Sequence, residues 1–197
     1  MKKIAIFASG AGSNAKEIIE YFGNTDKAGN RYAIAEISLI VSNNPNAGVL
    51  NIAGEKKIPA LIIDKEQFFR GNGYVDELRE KGIDLVVLAG FLWKIPDTLI
   101  AAYPNRIMNI HPALLPKFGG KGMYGRYVHQ SVLDQNEKES GITIHYVDGH
   151  YDNGDIIFQA TCSVLEHDTP DSLARRVQML EHEHYPRIIE KVAGELK

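Results

Sequence analysis

Behind the single acid of Asp84-Leu85-Val86-Val87-Leu88-Ala89, every residue is apolar, and no polar residue interrupts the run. A strand with one wet face alternates polar and apolar side chains. An unbroken apolar run needs cover on both faces, which a parallel sheet between helical layers supplies. The flanking sequence provides the helices. Ile4 to Ala8 is a short apolar run ending in glycines, and Asn14 to Phe22 then places Ala15, Ile18, Ile19 and Phe22 at helical spacing. Ile34 to Val41 reads as a strand closed by the turn-forming Ser42-Asn43-Asn44-Pro45. Ala47 to Lys57 reads as a helix, Ala60 to Ile63 as a strand and Tyr74 to Lys81 as a helix. Pro96 opens the next helix, where its missing N–H costs little. Repeated βα units imply an α/β fold with a doubly wound, mostly parallel, Rossmann-like sheet.

The second half has a different pattern. Lys117 to Gly125 is a loop with four glycines, and a helix is expected from there to about Asn136. Ile142 to Val147 and Ile156 to Cys162 read as two strands with no long helix between them, hence an antiparallel extension at the sheet edge. From Thr169 the chain becomes helical, with Pro170 and Asp171 as start signals and Leu173, Val177, Leu180 and Ile188 as the periodic apolar positions. Without repeats or linkers, the 197 residues are expected to form a single domain.

Composition excludes several classes of function. A formal net charge of -3 gives no footprint for nucleic acid or an anionic membrane. No run approaches the ~18 apolar residues of a membrane span, and the apolar stretch after Met1-Lys2-Lys3 is too short for a signal peptide. A cytoplasmic protein acting on small molecules is expected. The single cysteine, Cys162, forms no intrachain disulfide and lies in a strand pattern that favours packing over nucleophilic work.

Chemistry concentrates in Arg106 to Pro112. This short strand ends at Pro112, and its side chains alternate, so Asn109 and His111 project from one face. In open α/β sheets, ligands collect at the carboxyl ends of the strands. A neutral amide donor beside a titratable ring suits an oxyanion forming on a carbonyl or formyl carbon. The pattern points to acyl-type transfer. Ser9-Gly10-Ala11-Gly12-Ser13-Asn14 joins the first strand to the first helix and can cradle a small phosphate at the helix start. The same glycines would serve equally well as a tight turn with a helix cap. Between the two late strands, Asp148-Gly149-His150-Tyr151-Asp152-Asn153-Gly154-Asp155 reads either as a polar hairpin loop or as the source of a carboxylate for His111. The residues alone do not choose among its aspartates.

Taken together, these segments resemble the folate-dependent formyltransferases that act on glycinamide ribonucleotide in purine synthesis. The resemblance runs through nearly the whole chain. It rests on Gly10-Ala11-Gly12-Ser13-Asn14, Val87-Leu88-Ala89-Gly90-Phe91-Leu92, and Asn109-Ile110-His111-Pro112 with Leu114-Leu115-Pro116. Asp152-Asn153-Gly154, Arg176-Val177-Gln178 and Glu181-His182 extend it. It implies formyl transfer from 10-formyltetrahydrofolate, a cosubstrate, with no bound cofactor and no metal. It implies Asn109, His111 and Asp152 as catalytic residues, with Asn109 and a protonated His111 donating to the oxyanion. Gly12, Ser13 and Asn14 would hold the acceptor phosphate, and Glu181 the ribose hydroxyls. Arg70, Leu92, Trp93, Lys94, Ile95, Asn109, Val147 and Asp148 would meet the folate, and the enzyme would be a monomer or homodimer.

Other readings stay open beside this one. The acceptor could be another amine, such as a nucleotide-linked amino sugar, and methionyl-tRNA fits less well without a basic surface or an added carboxyl-terminal domain. A formate-releasing hydrolase, or a noncatalytic phosphate-ligand sensor, could also use this fold. His182 and His184 are two apart on a helix and point about 200° from each other, against a metal pair. His129, His145, His150 and His167 also lack a ligand constellation; for His145, strand packing or a place in the folate site is expected. Trp93 suits a core position as well as a folate contact. Relative to the family, Lys117 to Arg126 is long and glycine-rich. It reads as a surface loop or as a closing lid, with Lys121 and Arg126 adding charge near the phosphate.

Overall fold

The structure, a computed structural model, describes residues 1–23 and 34–196. Its strands run in the order β3-β2-β1-β4-β5-β6-β7, an α/β sheet that is mostly parallel with an antiparallel edge. The chain forms two compact units, residues 1–107 with 186–197 and residues 108–185.

The first unit is built from βα repeats. It contains β1 (Lys2–Phe7), α1 (Ser13–Gly23), β2 (Ala35–Ser42), α2 (Gly48–Lys56), β3 (Ala60–Ile62), α3 (Lys65–Arg70), α4 (Val75–Glu80), β4 (Leu85–Leu88) and α5 (Asp97–Ala102). β1 pairs in parallel with β2 and β4, and β2 with β3. The run that opened the sequence reading becomes β4, buried at all four positions, as two-sided cover requires. On α1 the buried residues are Ala15, Ile18, Ile19 and Phe22, the same face that the spacing predicts.

The short helix α3 was missed in the sequence. Its start signal is Asp64, whose carboxylate accepts from the Glu66 and Gln67 N–H groups at 2.8 and 3.2 Å. Its core residue is the fully buried Phe68. One apolar side chain in six residues is too little periodicity to mark a helix.

The second unit holds β5 (Ile107–His111, whose first residue belongs to the first unit), α6 (Arg126–Asp134), β6 (Glu139–Tyr146), β7 (Ile156–Ser163) and most of α7 (Pro170–Glu195). β5 and β7 both pair with β6 antiparallel. β6 starts at Glu139, before the apolar run begins, because Ser140 and Gly141 pair with Cys162 and Thr161. A Cβ on Gly141 would run into the Ala160 carbonyl, so only glycine permits this close approach. Cys162 is half-buried on β7, where burial pushes its thiol pKa up, away from the reactive thiolate.

α7 keeps its expected start but buries a different stripe. Leu173, Val177, Tyr185, Ile189 and Val192 are buried, whereas Leu180 and Ile188 are only half-buried. Tyr185, absent from the expected stripe, is fully buried, and its hydroxyl donates to the Met108 carbonyl at 3.3 Å within the second unit. Arg176 grips Asp168 with two nitrogens, at 2.7 and 3.0 Å, just before the helix begins. That fork holds the Asp168 carboxyl well below the usual carboxylate range.

Candidate active site

The antiparallel register builds the centre of the second unit. Asn109 lies opposite His145 and His111 opposite Thr143, so the polar positions of β5 and β6 coincide. Asp152, at the far end of the loop leading to β7, completes the cluster. Its carboxylate stands 3.6 Å from His111 Nδ1 and 3.7 Å from His145 Nε2. Among the loop aspartates the structure thus brings Asp152 to His111. Asp148 organises the loop itself, accepting from His150 N at 2.8 Å and Asn153 Nδ2 at 2.9 Å. Asp155 contributes its carbonyl to Tyr146 N–H at 2.9 Å.

Backbone conformation fixes the carboxylate. Asp152 has φ +52°, in the left-handed region that few residues other than glycine and asparagine adopt readily. The Gly120 N–H donates to Asp152 Oδ2 at 2.9 Å. Gly119 passes so close that a Cβ there would meet Asp152 Cβ at 3.2 Å and clash with Leu115. The glycines of the long loop therefore let backbone pack against the site.

Both ring nitrogens of His111 face partners. The Phe118 carbonyl lies 2.7 Å from Nε2 and can only accept, so Nε2 carries the proton. In the neutral ring this leaves the Nδ1 lone pair directed towards Asp152, across a gap too long for a direct hydrogen bond. Burial pushes the His111 pKa below its ordinary value, outweighing the opposing pull of Asp152 and of the Phe118 carbonyl. A ring only 3 % exposed loses more by desolvation than one carboxylate returns. For Asp152, burial acts to raise the pKa. The two imidazoles and the Gly120 N–H more than offset it, and the carboxyl stays below its ordinary value.

A second buried network supports the segment that follows β5. Thr143 Oγ1 donates to the Ala113 carbonyl at 2.7 Å and accepts from Leu115 N–H and from Gln159 Nε2, each at 2.9 Å. One donor and two acceptor sites are all a hydroxyl has, and all are used. Thr143→Val keeps the shape but strips Leu115 N–H and the Ala113 carbonyl of this partner. It is expected to lower stability by about 2–3 kcal/mol, read as a drop in denaturation midpoint at unchanged slope.

The remaining predicted residues divide between the units. In the first unit, Gly12 has φ +83°, and a Cβ there would meet Val49 Cβ at 2.8 Å, so this glycine serves close packing on α2. Ser13 is exposed at the start of α1, with Asn14 half-buried beside it. The exposed Leu92 anchors its N–H on Ser9 Oγ at 2.9 Å. Half-buried Trp93 packs with Phe68, Phe69 and Phe91 at ring separations of 5.7, 5.4 and 6.3 Å. Lys94 is exposed and Ile95 buried, and Arg70 makes an exposed pair with Glu66 at 3.4 Å. In the second unit Val147 and Asp148 are half-buried at the end of β6, and Glu181 is half-buried on α7. Arg126 pairs with Asp171 at 3.2 Å in an exposed bridge.

Sequence reasoning placed His145 in strand packing or the folate site without pairing it with Asn109, and it missed the Phe118 carbonyl and the Gly120 N–H. Thr143 and His145 alternate with Ile142 and Ile144, which signals a polar strand face, but only the register puts that face against Asn109.

A carboxamide and an imidazole on β5, met by a largely buried carboxylate from the loop before β7, are the residue types with which an acyl-type transferase on an α/β sheet would stabilise an oxyanion and move a proton. The comparisons narrow that class. The family model described as Formyl transferase matches residues 2–189. A phosphoribosylglycinamide formyltransferase of Bacillus subtilis is 37% identical over 198 residues, covering 98% of this chain and 96% of that protein. The chloroplastic enzyme of that name from Arabidopsis thaliana is 42% identical over 98% of this chain, which spans 66% of its length. For the Vigna unguiculata counterpart the span is 62%, so the chain covers a little under two thirds of these plant relatives. The crystal structure of phosphoribosylglycinamide formyltransferase from Bacillus halodurans superimposes with a TM-score of 0.85 at 38% identity, over 100% of this chain and 97% of that one. The chain belongs to the formyl transferase family.

Proposed function

We propose that this chain transfers the formyl group of 10-formyltetrahydrofolate to the amine of 5'-phosphoribosylglycinamide in purine biosynthesis. The observation that carries the reading is that Asn109 and His111, two apart on one face of β5, are joined by Asp152 from a distant loop, 3.6 Å from His111. The name of a relative that this chain covers almost end to end supplies the acceptor and the formyl group, and the sequence resemblance supplies the folate donor.

The chemistry follows from the protonation state. The glycinamide amine attacks the formyl carbon, and its proton passes to the neutral His111 Nδ1, the only free base on that ring. Asp152 stabilises the imidazolium as it forms. Asn109 and the new Nδ1–H then donate to the formyl oxygen, which carries the developing charge. The intermediate collapses by breaking the bond between the formyl carbon and the folate nitrogen. The proton held on His111 goes to that nitrogen, giving formylglycinamide ribonucleotide and tetrahydrofolate. His111 thus alternates between base and acid.

Binding roles complete the reading. Gly12, Ser13 and Asn14 hold the acceptor phosphate, with Ser13 and the start of α1 supplying donors, and Glu181 accepts from the ribose hydroxyls. Arg70, Leu92, Trp93, Lys94, Ile95, Asn109, Val147 and Asp148 meet the folate, with the aromatic cluster around Trp93 stiffening one part of that surface. The whole chain works as one functional domain on small molecules, in the cytoplasm, as a monomer or homodimer. Among the described residues no helix is long and apolar enough to cross a membrane.

Incubation with 10-formyltetrahydrofolate and glycinamide ribonucleotide tests this directly, following folate absorbance and the formylated product. Stoichiometric transfer is expected. Transfer only to an amino sugar, or folate cleavage without any acceptor, would reject the stated acceptor.

A further inference from the structure

We propose that His145 is a positioning residue for this reaction: it holds the Asn109 carboxamide with its nitrogen, not its oxygen, available to the substrate. The inference rests on the formyl-transfer reading and adds to it a residue outside the three that act on the formyl group.

The argument begins with the tautomer. His145 Nδ1 lies 2.8 Å from the Tyr146 carbonyl, which can only accept, so Nδ1 carries the proton. In the neutral ring Nε2 is then an acceptor. Asn109 Nδ2 sits 3.2 Å from it, directly across the strand pair, and donates one of its two N–H bonds. The other N–H on the same nitrogen remains for an oxyanion. A carboxamide has nearly the same shape after a half-turn about its last bond, so packing alone does not select its orientation. A lone pair at Nε2 does, because Oδ1 placed there would set two acceptors against each other.

The ring has a second effect. Its Nε2 is also 3.7 Å from Asp152 Oδ1, too far for a direct hydrogen bond, so Asn109 Nδ2 at 3.2 Å is the partner of that lone pair while the carboxylate stands close by. With the acceptor removed, the amide is free to turn its nitrogen to Asp152 and its oxygen to the reacting centre, where it would repel the developing charge. His145 itself is 2 % exposed and has both nitrogens engaged, so it acts through Asn109 and not on the substrate.

Two substitutions separate positioning from packing. His145→Met fills the space without an acceptor; His145→Gln places an amide oxygen near the position of Nε2. The methionine variant is expected to lose about 30–100-fold in kcat, with both KM values within about twofold, and glutamine to recover at least about tenfold of that loss. In an Asn109→Ala background His145→Met should cost less than about threefold more, since its effect passes through a group already removed.

A readout independent of turnover is exchange of the Asn109 side-chain amide protons by NMR. It should be slow in the wild type and in His145→Gln, and fast in His145→Met. Fully additive losses, or slow exchange retained in a folded methionine variant, would overturn the proposal. Slow exchange that requires His145, in a protein that transfers no formyl group to glycinamide ribonucleotide, would instead reject the assigned reaction and leave the positioning intact.

Discussion

His111→Ala is expected to lower kcat by about 10²–10³-fold, or roughly 2.7–4 kcal/mol of transition-state stabilisation, with KM for both proposed substrates nearly unchanged. The asymmetry has a structural cause. His111 is 3 % exposed, burial holds its pKa below the ordinary value, and its Nε2 faces the Phe118 carbonyl at 2.7 Å. It has little to offer a ground-state substrate. In the proposed mechanism its value arises when the amine proton arrives and Nδ1 becomes a donor to Asp152 and the formyl oxygen. Steady-state kinetics on a folded variant checks this. A rise in KM with kcat intact would make His111 a binding residue and remove it from the proton path.

Asp152→Asn has the other large effect, and its pH dependence fixes the sign of the interaction. The carboxylate raises the His111 pKa, while burial, the larger influence, lowers it. Removing the charge leaves burial less opposed, so the pKa falls further. In the proposed mechanism His111 accepts the proton in its neutral form, so kcat/KM is expected to climb as pH rises through that pKa. In the variant the acid limb should move to lower pH, while the plateau drops about 10²–10⁴-fold, because an amide cannot stabilise the imidazolium as a carboxylate does. A pH–rate profile of kcat/KM reads both features. An acid limb that moved to higher pH, or an unchanged plateau, would contradict the pairing.

The relation between these residues was partly legible in the sequence. Asn109 and His111 lie two apart in a strand, and strict alternation places them on one face whatever surrounds them. Strand β4 was equally plain, since an unbroken apolar run has few other solutions. The helix over α1 followed from four apolar residues at the correct spacing, all of them buried. Asp152 was identified through family resemblance, because its loop offers several aspartates and local chemistry does not rank them.

Other features needed the folded chain. Alternation says that His145 shares a face with Thr143, but the pairing of Asn109 with His145 is a matter of register, set by packing along the whole of β6. The lowering of the His111 pKa depends on how much surrounding protein excludes water, a sum over many residues that no local pattern encodes. The same holds for the backbone groups of Phe118 and Gly120, which carry no side-chain signature. By itself, the sequence determined the α/β repeats and the polar face of β5, because both follow from periodicity along the chain. The tertiary structure alone decided which carboxylate, ring and carbonyl surround that face, because those contacts depend on strand register, close glycine packing and burial.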